Sequence, residues 1–138
     1  MSRSSLRRRR KGMTLVEIMI VLSIIGIVST VLLVNVIGYL DEANAQATKI
    51  TIRNIDQALL TYAAKHHGKY PSNSEGIGAV KNFLSNEEVP HDAWDREFQY
   101  SSPGTHGNHP YEIISLGKDG VEGGDGANAD IHSWEMND

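Results

Sequence analysis

Two sets of carboxylates in this 138-residue chain stand where a carboxylate needs a partner. The first is one residue, Glu17, in the segment Met13-Thr14-Leu15-Val16-Glu17-Ile18-Met19-Ile20, after which no charge occurs from Ile18 to Leu40. A run of that length and composition is enough to cross a bilayer, which takes about 20 apolar residues. A charge inside it costs roughly 2.5–3.5 kcal/mol on insertion scales and so points to a function. The plainer alternative is that it snorkels to the interface near the helix end. The second set is Asp119, Asp125 and Asp130, in a loop that also holds Gly120, Gly123, Gly124 and Gly126. Hard cations such as Ca²⁺ take about six to eight oxygens from carboxylates and backbone carbonyls, and glycine lets the chain turn its carbonyls inward. The loop is not an EF-hand, because Val121 and Gly123 stand where that motif wants Asp or Asn. On composition alone a solvated acidic turn is the plainer reading.

Little else in the chain offers chemistry. There is no Cys, which rules out disulfides, thiolate metal sites and a Cys nucleophile. HExxH, GxSxG and phosphate-loop motifs are absent. Of the six histidines, His66-His67 falls at a helix end, where positive charge complements the dipole. His91, His106, His109 and His132 fall in loops without metal-ligand spacing. Trp94 and Trp134 read as packing residues over a small sheet.

These carboxylates must be positioned by a helix and by a small β domain. Met13 to about His67 reads as one long helix that changes character midway. It starts as a lipid-compatible run rich in Ile, Val and Leu, with Gly26 and Gly38 as weak points. Beyond Asp41-Glu42 it turns amphipathic: Ile52, Ile55, Leu59 and Tyr62 follow 3-4-3 spacing, and Ala45, Thr48 and Ala58 widen the stripe. Gly68 and Pro71 supply a stop. The remainder predicts a brief helix around Gly78–Leu84, a loop from Val89 to Trp94 and a strand over Glu97–Ser101. A turn at Ser102-Pro103-Gly104, a second strand over Tyr111–Ser115 and a loop from Gly117 to Asp130 complete it. The fold class is therefore α+β, a long helix packed on a small antiparallel sheet.

Charge divides the chain in the same place. The formal net charge is −4, but Arg3, Arg7, Arg8, Arg9, Arg10 and Lys11 all precede Gly12 and meet no acid there. The 13 basic residues thus leave seven beyond Gly12 against all 17 acidic ones, a formal −10. Such a surface excludes nucleic acid as a partner, since a phosphate backbone needs a basic footprint. A basic segment before an apolar span keeps the N-terminus cytoplasmic. An ordinary secretory signal is the other option, with Ala43-Asn44-Ala45 or Ala45-Gln46-Ala47 as cleavage sites. The apolar run is far longer than the about 7–15 residues such a signal uses.

The junction Lys11-Gly12-Met13-Thr14-Leu15-Val16-Glu17 resembles the class III signal of type IV pilins and pseudopilins. The C-terminal half, through Lys69-Tyr70-Pro71, Asp92-Ala93-Trp94, Phe98-Gln99-Tyr100-Ser101-Ser102-Pro103-Gly104, His106-Gly107, Ser115-Leu116-Gly117-Lys118-Asp119-Gly120 and Asn128-Ala129-Asp130-Ile131, is similar to the major pseudopilin family of type II secretion, general secretion pathway protein G. The chain departs from that pattern at three places. Met13 replaces the usual Phe, Ala93 and Asp95 stand where Asp-Pro-Trp-Gly is usual, and Val34 replaces a proline common in the membrane helix.

The resemblance implies a non-enzymatic filament subunit with three parts: a cleaved leader 1–12, a membrane and assembly helix 13–40, and a periplasmic domain 41–138. A prepilin peptidase would cut after Gly12 and methylate Met13, giving a new α-amine four residues before Glu17. In a stacked filament the Glu17 carboxylate of one subunit would then meet the ammonium of another. The implied partners are copies of the chain, minor pseudopilins, the peptidase, an inner-membrane assembly platform and, before assembly, lipid. The implied cofactor is Ca²⁺, held by Asp119, by the carbonyls of Leu116 and Val121, and by Asp125 or Asp130. A type IV pilin or minor pseudopilin is the nearest alternative, and a membrane-anchored periplasmic metal-binding enzyme the distant one. Processing is directly testable: mass spectrometry of the mature chain should find an N-methylated Met13. A mature start at Gln46 or Thr48 would identify an ordinary signal peptide instead.

Overall fold

The computed structural model describes residues 11–136, so the expected leader residues Arg3 and Arg7–Arg10 lie outside it. Helix α1 runs from Leu15 to Lys65. The chain divides into two compact units between Gly38 and Tyr39. In the first unit every large apolar side chain from Leu15 to Ile37 is exposed, from 39% at Ile18 to 78% at Leu15. The helix is long and apolar enough to cross a membrane. Its backbone stays helical through Val34 and Asn35, where a proline would break the hydrogen-bond ladder.

The second unit forms around the amphipathic half of α1. Thr48, Ile52, Ile55, Ala58, Leu59 and Ala63 are buried, as the 3-4-3 spacing predicts. Strands β1 (Gln99–Ser101), β2 (Glu112–Ser115) and β3 (Ile131–His132) form an antiparallel sheet in the order β1-β2-β3. Tyr100 pairs with Ile113, and Ser115 with Ile131. Phe98, Tyr111, Ile113 and Ile131 cover the helix stripe, joined by Ile77 and Val80. Four elements differ from expectation. The helix predicted at Gly78–Leu84 is a 3-10 helix, Ile77–Phe83. Strand β3 and the 3-10 helix Ser133–Met136 that follows it were not foreseen, being too short to show a period. The first strand begins at Gln99 rather than Glu97. Helix α1 closes where Gly68 donates its N–H to the Ala63 carbonyl at 2.8 Å. His67 takes the left-handed conformation there, φ 58°, in the position that glycine usually fills.

Two buried carboxylates hold the loops in place of disulfides. Asp92 is 5% exposed; its Oδ1 accepts the N–H groups of Trp94 (3.0 Å) and Arg96 (2.9 Å), and its Oδ2 accepts the Ser115 hydroxyl at 2.7 Å. The turn so made puts Asp95 at φ 63°, a conformation that glycine adopts most easily. Asp is among the residues that tolerate this conformation best. Glu112 is 1% exposed and organises the segment between β1 and β2. It accepts the Thr105 hydroxyl at 2.8 Å, the Ser101 hydroxyl at 3.3 Å and the His106 N–H. A Cβ on Gly104 would lie 3.0 Å from the Glu112 side chain and 2.8 Å from the His109 carbonyl, so only glycine lets the turn close over it. Elsewhere the Tyr111 hydroxyl donates to Asp56 on α1. Burial first, then that bond and the carboxylate's charge, push the phenol well above its ordinary value and keep it a donor.

Burial opposes the ionisation of Glu112, but the hydrogen bonds from His106, Thr105 and Ser101 outweigh it and hold the carboxyl below its ordinary 4.5. A lowered folded value means a contribution that is complete above pH 4.5 and is lost as pH falls through the lowered value. Glu112→Gln turns an amide donor toward groups that can only donate or that prefer a carboxylate. It should lower stability near pH 7 by about 1.5–3 kcal/mol and flatten the acid limb of the pH–stability curve. Thermal melts of the detergent-solubilised chain from pH 3 to 7 check both.

Candidate functional site

At the start of α1 the structure gives Glu17 a partner that the sequence reading did not assign. Gly12 and Met13 precede the helix and are exposed. Thr14 caps it: the Thr14 N–H donates to Glu17 Oε2 at 2.9 Å, and the Glu17 N–H donates to Thr14 Oγ1 at 3.3 Å. This is a reciprocal capping box, which satisfies two of the otherwise free donors of the first turn. The Thr-x-x-Glu spacing that signals it was legible in the sequence. It also explains why the helix begins at Leu15 rather than Met13. A carboxylate in the first turn is further favoured by the helix dipole. Glu17 Oε1 has no hydrogen bond among the described residues, so one oxygen serves the cap and the other stays open.

The second candidate, Leu116 to Asp130, leaves β2 and returns to β3. The Lys118 N–H donates to the Ala127 carbonyl at 2.9 Å, drawing its ends together, and the 3-10 turn Gly126–Asn128 closes the far side. The predicted ligands are placed unequally. Leu116 is half-buried and Val121 is 63% exposed. Asp119 is exposed, and its Oδ1 accepts the Val121 N–H at 3.1 Å. Asp125 is exposed at the head of the 3-10 turn and caps it with no side-chain bond. Asp130 reaches back across the loop, where its Oδ2 accepts the Gly123 N–H at 2.9 Å. Among the described residues no three carboxylate or imidazole side chains converge on one point.

One feature of this donor set suits a cation. Asp130 Oδ1 is buried with no hydrogen-bond partner among the described residues, an arrangement that costs free energy unless a positive or protic group faces it. Asp130 lines a cavity of about 160 Å³ together with Lys49, Trp94 and Glu135, and the buried Trp94 Nε1 is also without a partner. Three of the histidines pack against aromatic rings: His66 stacks on Tyr62 at 4.0 Å, and His106 and His132 both stack on Trp134, at 4.7 and 4.3 Å.

Comparison with known proteins agrees with this geometry. Residues 35–134 match the family described as type II secretion system (T2SS), protein G, and residues 7–33 match the prokaryotic N-terminal methylation motif. The type II secretion system core protein G of Pseudomonas aeruginosa is 35% identical, over 94% of this chain and 98% of its own length. That of Vibrio cholerae is 32% identical, over 95% and 96%. The fold is also that of the crystal structure of the major pseudopilin from the type 2 secretion system of enterohaemorrhagic Escherichia coli. The TM-score is 0.58 and the identity 22%, over 73% of this chain and 95% of that one. With its exposed apolar helix, the protein is membrane-anchored. The methylation motif, the matched core and relatives aligned over nearly their whole length place the chain in the type II secretion system protein G family, whose members are structural pseudopilins and not enzymes.

Proposed function

We propose that the chain is the major subunit of a type II secretion pseudopilus, and that its growing filament drives export of folded proteins across the outer membrane. The observation that carries this reading is a capped carboxylate with one open oxygen, at the head of a helix whose apolar surface no other described residue covers. Lipid of the inner membrane covers that surface first, with the C-terminal unit in the periplasm; neighbouring helices cover it after assembly. Prepilin peptidase cleaves between Gly12 and Met13 and methylates Met13. The new ammonium of one subunit then pairs with Glu17 of the next, so two charges leave a low-dielectric setting together. Because Thr14 uses only Oε2, the pair forms without uncapping the helix. The contact is head-to-tail and does not close, which gives a filament. Minor pseudopilins and an inner-membrane assembly platform start and drive its growth.

Two variants separate capping from pairing. Glu17→Gln keeps an oxygen for the Thr14 N–H but removes the charge. It should leave membrane levels unchanged and reduce filaments at least tenfold by electron microscopy. Thr14→Ala keeps the charge and loses one cap bond, at a cost of about 1 kcal/mol to the helix start; it should give a milder loss. Normal filaments from Glu17→Gln would sink the pairing.

The loop is proposed to bind Ca²⁺ through Asp119, Asp130 and the carbonyls of Leu116 and Val121. Asp130 is favoured over Asp125 because one of its oxygens is buried and unpartnered. The ion would supply charge neutralisation for a loop that otherwise gathers acid. Extracellular modules bind calcium with Kd around 10⁻⁴–10⁻³ M, so millimolar calcium should add about 1 kcal/mol of stability. Calcium should raise the melting temperature of the wild-type chain relative to chelator. Asp130→Asn should abolish that rise and Asp125→Asn should leave it. Equal melting with calcium and chelator in the wild type rules the metal out.

A further inference from the structure

One side chain ties the Asp92–Arg96 turn to the Leu116–Asp130 loop, and neither the assembly site nor the calcium ligands account for it. Arg96 Nη1 donates to the carbonyls of both Gly117, at 2.6 Å, and Lys118, at 2.5 Å. The guanidinium also lies against Gly120. A Cβ there would come within 2.7 Å of Nε and 2.9 Å of Cζ, and the backbone is at φ +71°, so only glycine fits. The root of the side chain is fixed as well. The Arg96 N–H donates to Asp92 Oδ1, and the Arg96 carbonyl accepts the Asp92 N–H at 2.8 Å. Asp92 is buried, and its Oδ2 holds the hydroxyl of Ser115, two residues before Gly117. A buried carboxylate thus aims a permanent cation at two carbonyls whose negative ends point the same way. That convergence is unfavourable until a positive group stands between them, and hydrogen bonds from a charged donor are about twice as strong as neutral ones. The other cation of this turn, Lys118, pairs with Asp41 on α1 at 2.9 Å; that pair is largely exposed and adds little.

We propose that Arg96 is a built-in cation that positions Gly117–Gly120, so that this half of the loop is ordered before any metal is bound. Calcium then finds Asp119 and the Leu116 carbonyl already in place and has only Val121–Asp130 left to order, a clause that rests on the calcium reading; the positioning by Arg96 does not. Arginine suits this place because one nitrogen, Nη1, serves both carbonyls while the rest of the planar guanidinium lies against Gly120, and lysine has no planar group to lay there.

Hydrogen exchange by mass spectrometry on the detergent-solubilised full chain, in chelator, tests this. The Leu116–Gly120 peptide should show slow exchange at Lys118, whose N–H donates to the Ala127 carbonyl, in the wild type. In Arg96→Gln it should exchange at least tenfold faster while β2 amides, Glu112–Ser115, keep their protection. Exchange of Leu116–Gly120 within twofold of wild type in Arg96→Gln overturns the proposal. If Arg96→Gln also loosens β2, Arg96→Lys decides: faster exchange in Leu116–Gly120 alone supports the proposal, and faster exchange in both segments or in neither overturns it. Calcium added to the wild type and read on residues 121–130 tests the metal reading separately, so either idea can fail without the other.

Discussion

A sheet as small as this one cannot stand by itself, and everything in the C-terminal unit depends on its contact with one stripe of α1. Strands of three, four and two residues bury too little surface to be stable in water. The stripe supplies the missing surface. Ile52, Ile55 and Leu59 on the helix, Val80 on the 3-10 helix and Ile113 on β2 are all fully buried. Each such side chain is worth about 1.5–3 kcal/mol when removed from water. The same helix therefore does two different jobs, and the division falls where its apolar residues change from all-round to one-sided.

With the core confined to one face of one helix, the loops need other means of order. The chain has no cysteine, and the structure uses buried acids instead. Asp92 and Glu112 each accept three hydrogen bonds from groups that are distant along the chain or across a turn. A buried carboxylate is costly when unpaired and strongly directional when satisfied. That makes each a point where a specific loop geometry is selected over the many that a Gly- and Ser-rich segment allows. Asp95 shows the strength of the selection, since it is held in a backbone region that side chains avoid.

What the sequence made legible follows from range. The 3-4-3 spacing of Ile52, Ile55, Leu59 and Tyr62 is local, and the structure buries that face. The stop at Gly68 was local too, although the left-handed turn begins one residue earlier at His67. The Thr14–Glu17 cap is equally local and readable from its Thr-x-x-Glu spacing. By contrast, nothing in Tyr-Glu-Ile-Ile-Ser says that Glu112 is buried, because its donors are brought by a turn that forms only with the fold. Arg96 reaches carbonyls more than twenty positions away. Asp125 and Asp130 look alike in a Gly-rich stretch and differ only once β3, itself two residues long, fixes one of them against the loop.

The unbroken backbone of α1 through Val34 and Asn35 has a mechanical consequence. A residue in a helix occupies about 1.5 Å of length, against about 3.3 Å when extended. A stretch of melted backbone is thus a spring, roughly doubling its length before any covalent limit is felt. A helix with proline at that point has such a spring ready, since one ladder bond is already missing. Here the ladder is whole, and lengthening a subunit would first mean breaking backbone hydrogen bonds in an apolar setting, where no water replaces them. A fibre of these helices gains length more readily by sliding one subunit along the next than by stretching each one. Its compliance then resides between subunits.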